Sequence, residues 1–420
     1  MAGRVPASSR PATTPRPGRA LIIVQNLPVP FDRRVWLECQ TLRDAGHKVA
    51  VVCPKGPGDP PFAMVDGVEL YKYKPYAASG TKASFVAEYI YSFLVTLKLA
   101  VKASRAGHFD TVQACNPPDI FWPVGLLFRA WQGSRFVYDH HDLCPELWQS
   151  RFPEGSKLVH RALVWLERRT VRSADHVIET NESYRATDIE RHGIKPEKVT
   201  VVRTGPNPDR LKRGEPDPVQ KRGRNYLVAY IGVMGPQDGV DVALHVADHL
   251  VHKMGRHDIS FTLIGAGDCF DELIALRDRL QLADYVEFTG RAPDSTVAAV
   301  MSTADIGISP DPKNPLNDVS TMNKTMEYMA YSLPVVAFDL RETRVSAAEA
   351  GVYATPNEVP EMAGLVAELL DDADRRRAMG AAGRARVERE LAWVHQAARY
   401  AHVYEQLMAT DKGLAIGIDS

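Results

Sequence analysis

The stretch Ile306–Phe338, IGISPDPKNPLNDVSTMNKTMEYMAYSLPVVAF, decides the fold. A short apolar run, Ile306–Ser309, reads as a strand buried on both faces. A polar loop rich in Pro and Asn follows, then a helical pattern near Met322–Tyr331, with Ser320 or Thr321 as N-cap. Pro334–Phe338 is a second buried strand. Strand, loop, helix and strand in this order make one βαβ unit of a parallel sheet.

The same alternation extends in both directions. Before this stretch the strands are Leu227–Ile231, Ile259–Ile264 and Val286–Phe288, and after it Val352–Ala354. Helices fall near Val240–Lys253, Asp271–Leu280 and Asp294–Ser302. An earlier series has strands at Ala20–Val24, Lys48–Cys53, Val68–Lys74, Thr111–Ala114, Phe136–Asp139, His176–Thr180 and Val199–Arg203. Its helices lie near Arg33–Ala45, Ser84–Arg105, Lys157–Arg172 and Ser183–His192. The segment 206–225, dense in Pro, Lys and Arg, has a linker's composition. The expected plan is an α/β chain of two Rossmann-like, doubly wound parallel-sheet domains facing a central cleft. A leader occupies 1–19, the first domain 20–205, the second 226–390. A terminal helix at 391–409, packing back on the first domain, and a tail at 410–420 complete it.

At 420 residues the chain is long enough for two cores. A net charge of −1 gives no global field for nucleic acid. Five scattered cysteines without a CxxC pair read as reduced thiols of a cytoplasmic protein. The most apolar stretch, 84–104, has no uncharged run near the roughly 20 residues that span a bilayer.

Ligands of open parallel sheets bind at the carboxyl ends of the strands. Lys324 lies in the first turn of the Met322 helix, where a cation is unfavourable unless an anion is present. A helix N-terminus is itself a natural diphosphate site. Glu327, three residues on, shares a face with Lys324. Either Lys324 meets phosphate while Glu327 accepts from ribose hydroxyls, or the two form a surface ion pair. The loop Asp139-His140-His141-Asp142 follows another strand end. His141 can hydrogen-bond a hydroxyl or carry a proton near neutrality. Glu146 is either a second acid or the start of the next helix. The His-His-Asp cluster also invites a metal reading, but no second ligand group of suitable spacing accompanies it. Asp32 reads as an N-cap. Arg33 and Arg34, in that helix's first turn, either meet an anion in the cleft or pair with Asp32 or Glu38. Asn116 lies at a strand end on the acceptor side.

Glu327-Tyr328-Met329-Ala330 with Leu333-Pro334-Val335-Val336-Ala337 resembles the donor-binding segment of the retaining glycosyltransferase family 4, of GT-B fold. That family holds sugar and ribose with two glutamates eight positions apart. Glu327 matches the second; Val319 stands at the first, with Asp318 the nearest acid. Asn323-Lys324 and the stretch Asp139–Glu146 are similar to the branch that builds bacterial exopolysaccharide and O-antigen. Tyr230–Val240 resembles the family's first strand, loop and helix of the second domain, where Gly235 lets backbone approach a phosphate or sugar. Many members carry an Arg and a Lys there; this chain has Met234 and Gln237 or Asp238. The turn holding Gly265 and the one holding Arg291 are similar to the family's nucleotide and base contacts.

The resemblance implies transfer of a sugar from a nucleotide diphosphate-sugar to a glycan or lipid-linked hydroxyl, with retention. His141, Asp142 and Lys324 are the expected catalytic groups. Glu327, Asn323, Thr321, Ser320, Asp318, Gly235, Gly265 and Arg291 are the expected donor contacts, and Arg33, Arg34 and Asn116 the phosphate or acceptor contacts. No Asp-x-Asp metal motif stands out, so no metal or other cofactor is expected. Family members often dock on the inner membrane leaflet. The helix 84–105, with Lys98, Lys102 and Arg105, and the Arg-rich helix 157–172 suit either that role or buried packing. A nucleotide-sugar epimerase and a non-catalytic nucleotide-sugar binder are the rival readings.

Overall fold

The computed structural model describes residues 17–76 and 82–409; the leader up to residue 16 and the tail from 410 lie outside them. The first sheet holds β1 (Arg19–Ile23), β2 (Lys48–Pro54), β3 (Phe62–Val65), β4 (Val68–Tyr73), β5 (Thr111–Cys115), β6 (Arg135–His140), β7 (His176–Glu179) and β8 (Val199–Val201). Their order is β3-β4-β2-β1-β5-β6-β7-β8. The pairs β1–β2, β1–β5, β2–β4 and β7–β8 run parallel. The β3–β4 hairpin is antiparallel and was not read from the sequence. Its β3 alternates exposed with half-buried residues, as an edge strand does.

The second sheet holds β9 (Tyr226–Ile231), β10 (Ile259–Ile264), β11 (Val286–Gly290), β12 (Ile306–Ser309), β13 (Val335–Phe338) and β14 (Gly351–Ala354), in the order β11-β10-β9-β12-β13-β14. Every pairing in it is parallel. Strands β10, β12 and β13 are buried along their whole length, which is why they read as continuous apolar runs.

The helices of the first half are α1 (Arg33–Asp44), α2 (Lys82–Ser104), α3 (Trp122–Gln132), α4 (Cys144–Arg151), α5 (Lys157–Ser173) and α6 (Glu182–Thr187). Those that follow are α7 (Val240–Asp248), α8 (Phe270–Arg279), α9 (Asp294–Thr303), α10 (Asn323–Ala330), α11 (Arg341–Ala347), α12 (Val359–Asp371), α13 (Ala373–Arg386) and α14 (Trp393–Ala409). Two expected helices end in a π turn, at Asp188–His192 and His249–Lys253.

The chain divides into two compact units. One comprises the described residues up to Ala114, Pro123–Val137 and the described residues from Tyr400 on; the other comprises Cys115–Trp122 and Tyr138–Arg399. In the second unit α10 seats on β12 because Gly307 makes room for a ring. A Cβ there would lie 2.3 Å from Tyr328. The Tyr328 hydroxyl donates to Ile308 O at 2.9 Å and accepts from Ile231 N at 3.1 Å, tying α10 to β12 and β9.

Asp32 caps α1, accepting from Val35 N at 3.1 Å as expected. The α10 cap differs from expectation. Its N-cap is Met322, and no side chain caps the helix. Ser320 and Thr321 are used elsewhere, because Ser320 Oγ donates to Leu316 O and Thr321 Oγ1 accepts from Asn181. One Asp-x-Asp does occur, Asp372-Ala373-Asp374. There Asp372 caps α13 and Asp374 pairs with Arg377 on an exposed face, so it is a capping sequence.

Candidate functional site

In the second unit the loop after β6 is built around Asn116. Its Oδ1 accepts from the backbone N of His141 at 2.5 Å and of Asp142 at 3.1 Å, and its Nδ2 donates to Asp142 O at 2.6 Å. Asn116 is 2% exposed, so it shapes the loop and does not face an acceptor as expected. His141 Nε2 hydrogen-bonds the buried carboxylate of Asp139, which also accepts from Cys115 Sγ at 3.7 Å. Burial raises the Asp142 carboxyl above its usual range. His141 is thus an imidazole oriented by a carboxylate.

Side chains alternate along β6, so His140 points the other way. It sits fully buried, with Nδ1 at 3.0 Å from Glu179 and 3.4 Å from Asp188. Burial alone would lower His140, but the two carboxylates outweigh it and hold its pKa well above the usual value. Glu167 bonds His192 at 2.7 Å and Arg191 at 2.9 Å. Arg191 also takes Glu146, so Glu146 is a structural partner in the first turn of α4. Two groups of metal-capable side chains therefore occur among the described residues, Cys115–Asp139–His141 and His140–Glu179–Asp188. The sequence reading missed the second, whose members lie 39 and 48 positions apart from His140 in the chain.

The loop before α10 is gripped by α6 and its cap. Asn181 Nδ2 donates to Val319 O at 3.0 Å, Tyr184 OH meets Ser320 Oγ at 2.7 Å, and Ser183 Oγ donates to Glu342 at 2.6 Å. Arg203 pairs with Glu342 at 3.3 Å. Val319 packs against Leu143, Tyr184 and Leu316, which explains an apolar residue at that position. Asp318 accepts from Arg341 N at 3.1 Å and lies 3.5 Å from Lys313, so it starts α11.

Beside this loop three turns meet backbone to backbone. A Cβ on Gly265, at φ +140°, would lie 1.8 Å from Gly232 O, and one on Gly267 would lie 2.5 Å from Met234 O. Gly239, at φ +68°, stands as close to Pro310 O. Close approach of turn to turn, and not only of backbone to ligand, requires these glycines. Gly235 N donates to Asp238 Oδ2 at 2.9 Å. Burial pushes Asp238 up to about 6.

Lys324 lies beneath them, 8% exposed, its Nζ paired with Asp311 and 5.1 Å from the Tyr230 ring. Burial would lower its pKa, yet Asp311 and Asp238 outweigh burial and raise it. The counter-charge expected from an outside anion is already supplied inside the protein. Glu327 is half-buried one turn on, while Asn323 and Arg291 are exposed. In the first unit Arg34 is buried and pairs with Glu38 at 3.1 Å, so it does not meet an anion. Arg33 is exposed. Asn181 and Asp311 were given no role in the sequence reading; their partners Thr321 and Lys324 lie 140 and 13 positions away in the chain.

The two sheets, parallel but for the β3–β4 pair, make this an α/β chain, and the solved structures it resembles are GT-B glycosyltransferases. Residues 32–205 match the family model described as glycosyl transferase 4-like domain, and residues 225–372 the one described as glycosyl transferases group 1. The chain belongs to glycosyltransferase family 4. It is 27% identical over 349 residues to a D-inositol 3-phosphate glycosyltransferase of Thermobispora bispora, covering 78% of each chain. It is 25% identical over 323 residues to an MMP alpha-(1->4)-mannosyltransferase of Mycolicibacterium hassiacum, covering 74% of this chain and 73% of that one. Among solved structures it resembles sucrose-phosphate synthase from Thermosynechococcus elongatus, with a TM-score of 0.76 at 16% identity over 94% of this chain and 100% of that one. HepE of Anabaena, solved with UDP-glucose, matches with a TM-score of 0.66 at 17% identity over 93% and 100%. The protein is therefore a glycosyltransferase, which sets the epimerase reading aside.

Proposed function

We propose that this glycosyltransferase takes a sugar from a nucleotide diphosphate-sugar and delivers it, with retained anomeric configuration, to a hydroxyl of a glycan or lipid-linked acceptor in bacterial surface polysaccharide synthesis. The observation that carries the reading is the uncapped N-terminus of α10, with Lys324 in its first turn and Glu327 one turn on, beside the Gly232–Gly239 loop. Negative charge develops on the leaving diphosphate, and the helix N–H groups stabilise it without reorganising, while the Lys324 ammonium, paired with Asp311, offsets the carboxylates beside them. The acceptor hydroxyl passes its proton to that phosphate as the glycosidic bond breaks on the same face. His141 and Asp142 face the reacting sugar, His141 donating to a hydroxyl. No metal is required, because protein groups supply the positive charge.

The first unit offers an acceptor site of about 270 Å³, lined by Gln25, Asn26, Lys55, Tyr73, Glu88 and Ser92 among others. Polar groups of this kind suit a polyol or sugar-phosphate head group. The cavity lies against α2, whose outer row suits a lipid surface. No helix among the described residues is long and apolar enough to cross a membrane. The protein works from the cytoplasmic face as a peripheral enzyme.

The test incubates the pure protein with UDP-, GDP- and TDP-sugars and bacterial membrane extract, with and without EDTA. Nucleotide release is followed, and the product's anomeric coupling is read by NMR. Release from one donor, unchanged by EDTA and yielding the donor's own anomer, is expected. An inverted product sinks the retaining mechanism, and measurable donor binding without release under any condition favours the non-catalytic reading.

A further inference from the structure

The loop 232–240 contains no lysine or arginine, and neither does the 265–268 turn packed against it. Their charged side chains are Asp238 and Asp268, both acidic. Lys324 is shared between Asp311, to which it bonds, and Asp238, so one cation already faces two carboxylates. A diphosphate brought here meets a surface with no surplus positive charge, which Coulomb's law makes unfavourable in a half-buried setting. Another cation must come from outside these turns.

Arg151 is placed to supply it. It closes α4, the helix that begins directly after the His141–Asp142 loop. Its guanidinium pairs with Asp268, on the turn whose glycines stack on Gly232 and Met234. Its charge also reaches Asp238 and Cys269, on the two sides of that surface. Arg151 is a third exposed and Asp268 76% exposed, so the pair is a weak one and readily exchanged. A guanidinium presents two parallel N–H groups that match phosphate oxygens, and phosphate is a stronger partner than a solvated carboxylate.

We infer that Arg151 is the cation that binds the donor's diphosphate, leaving Asp268 to do so, in place of the arginine and lysine absent from the 232–240 loop. This rests on the nucleotide diphosphate-sugar reading above. Arg151 touches the leaving group and is in that sense catalytic; Asp268 parks it when the site is free of donor.

The experiment is calorimetric titration of the full chain with UDP, GDP and TDP and with the matching monophosphates. Arg151→Ala is expected to weaken the diphosphate on the order of ten- to a hundredfold while moving the monophosphate far less. Arg151→Lys restores part of the loss, and Asp268→Asn binds the diphosphate at least as tightly as the parent. Thermal midpoints equal to the parent's show that the variants fold, and Arg151→Gln repeats the test with a side chain of similar length. Unchanged diphosphate affinity in Arg151→Ala and Arg151→Gln overturns the assignment and leaves the donor reading standing. A parent protein that binds none of these diphosphates overturns the donor reading, and this assignment with it.

Discussion

At the scale of single residues, ionisable groups are buried in pairs and longer chains, and each member's protonation depends on its neighbours. Asp119 illustrates it. It is 3% exposed and accepts from the Tyr138 hydroxyl. Burial, with help from Glu167, pushes its pKa up to about 6, against about 3.9 in an unfolded chain. The folded state therefore holds this proton more tightly than the unfolded one. The stability tied to the proton is full below about pH 4 and declines as pH rises towards 6, by about 3 kcal/mol in all. Asp119→Asn keeps an acceptor for Tyr138 and carries no charge. Its stability relative to the parent should grow between pH 4 and pH 7, measured as urea midpoints at several pH values. A difference that stays flat with pH would show that Asp119 remains ionised in the fold.

At the scale of elements, α2 carries its information on one row. Val86, Ile90 and Leu94 stand four residues apart and are each more than half exposed. Lys98 and Lys102, both exposed, continue the same i, i+4 line. The opposite face, with Ser92, Thr96, Ala100 and Ala103, is buried. Apolar side chains followed by lysines fit an anionic lipid surface, where the first enter the interface and the second meet head groups. Ile90→Glu with Leu94→Glu should cut sedimentation with phosphatidylglycerol vesicles at least about tenfold, since burying either parent side chain is worth roughly 1.5–3 kcal/mol. Nucleotide binding should not change. A double variant that co-sediments as well as the parent would remove α2 from the membrane. Elements of this kind were legible in the sequence where pattern and burial agree. The strands of the second sheet were placed within a residue or two, helped by β10, β12 and β13, which are apolar because both faces are covered. The β3 strand and its hairpin with β4, α3 and α11 to α13 were not read: β3 is a half-exposed edge strand, α11 is short and α13 strongly charged, whereas α3 and α12 do carry a buried apolar face at helical spacing. The site was legible only where its residues are consecutive, at Asp139–Asp142 and Ser320–Glu327. The hold of Asn181 and Tyr184 on the α10 loop joins residues 136 to 140 positions apart, and no local pattern announces it.

At the scale of the whole molecule, the first unit is assembled from both ends of the chain. Arg34 pairs with Glu38 on α1, Glu38 accepts from Gln113 Nε2 at 2.7 Å on β5, and Gln113 Oε1 accepts from Tyr400 at 2.8 Å and Tyr404 at 2.6 Å on α14. All five side chains are buried. The last two bonds close loops of 287 and 291 residues, so this polar core is completed only when the end of the chain arrives. Two hydroxyls on one acceptor make the contributions interdependent. Tyr400→Phe or Tyr404→Phe alone leaves the other donor in place and should cost about 0.5–1 kcal/mol. The double variant takes both hydroxyl donors from a fully buried carbonyl oxygen, and the penalty should exceed the sum of the singles by at least about 0.5 kcal/mol. Chemical denaturation of the four proteins of this cycle measures the coupling directly. Additive costs would mean that α14 is held by its apolar contacts alone and that Gln113 does not join the two ends of the chain.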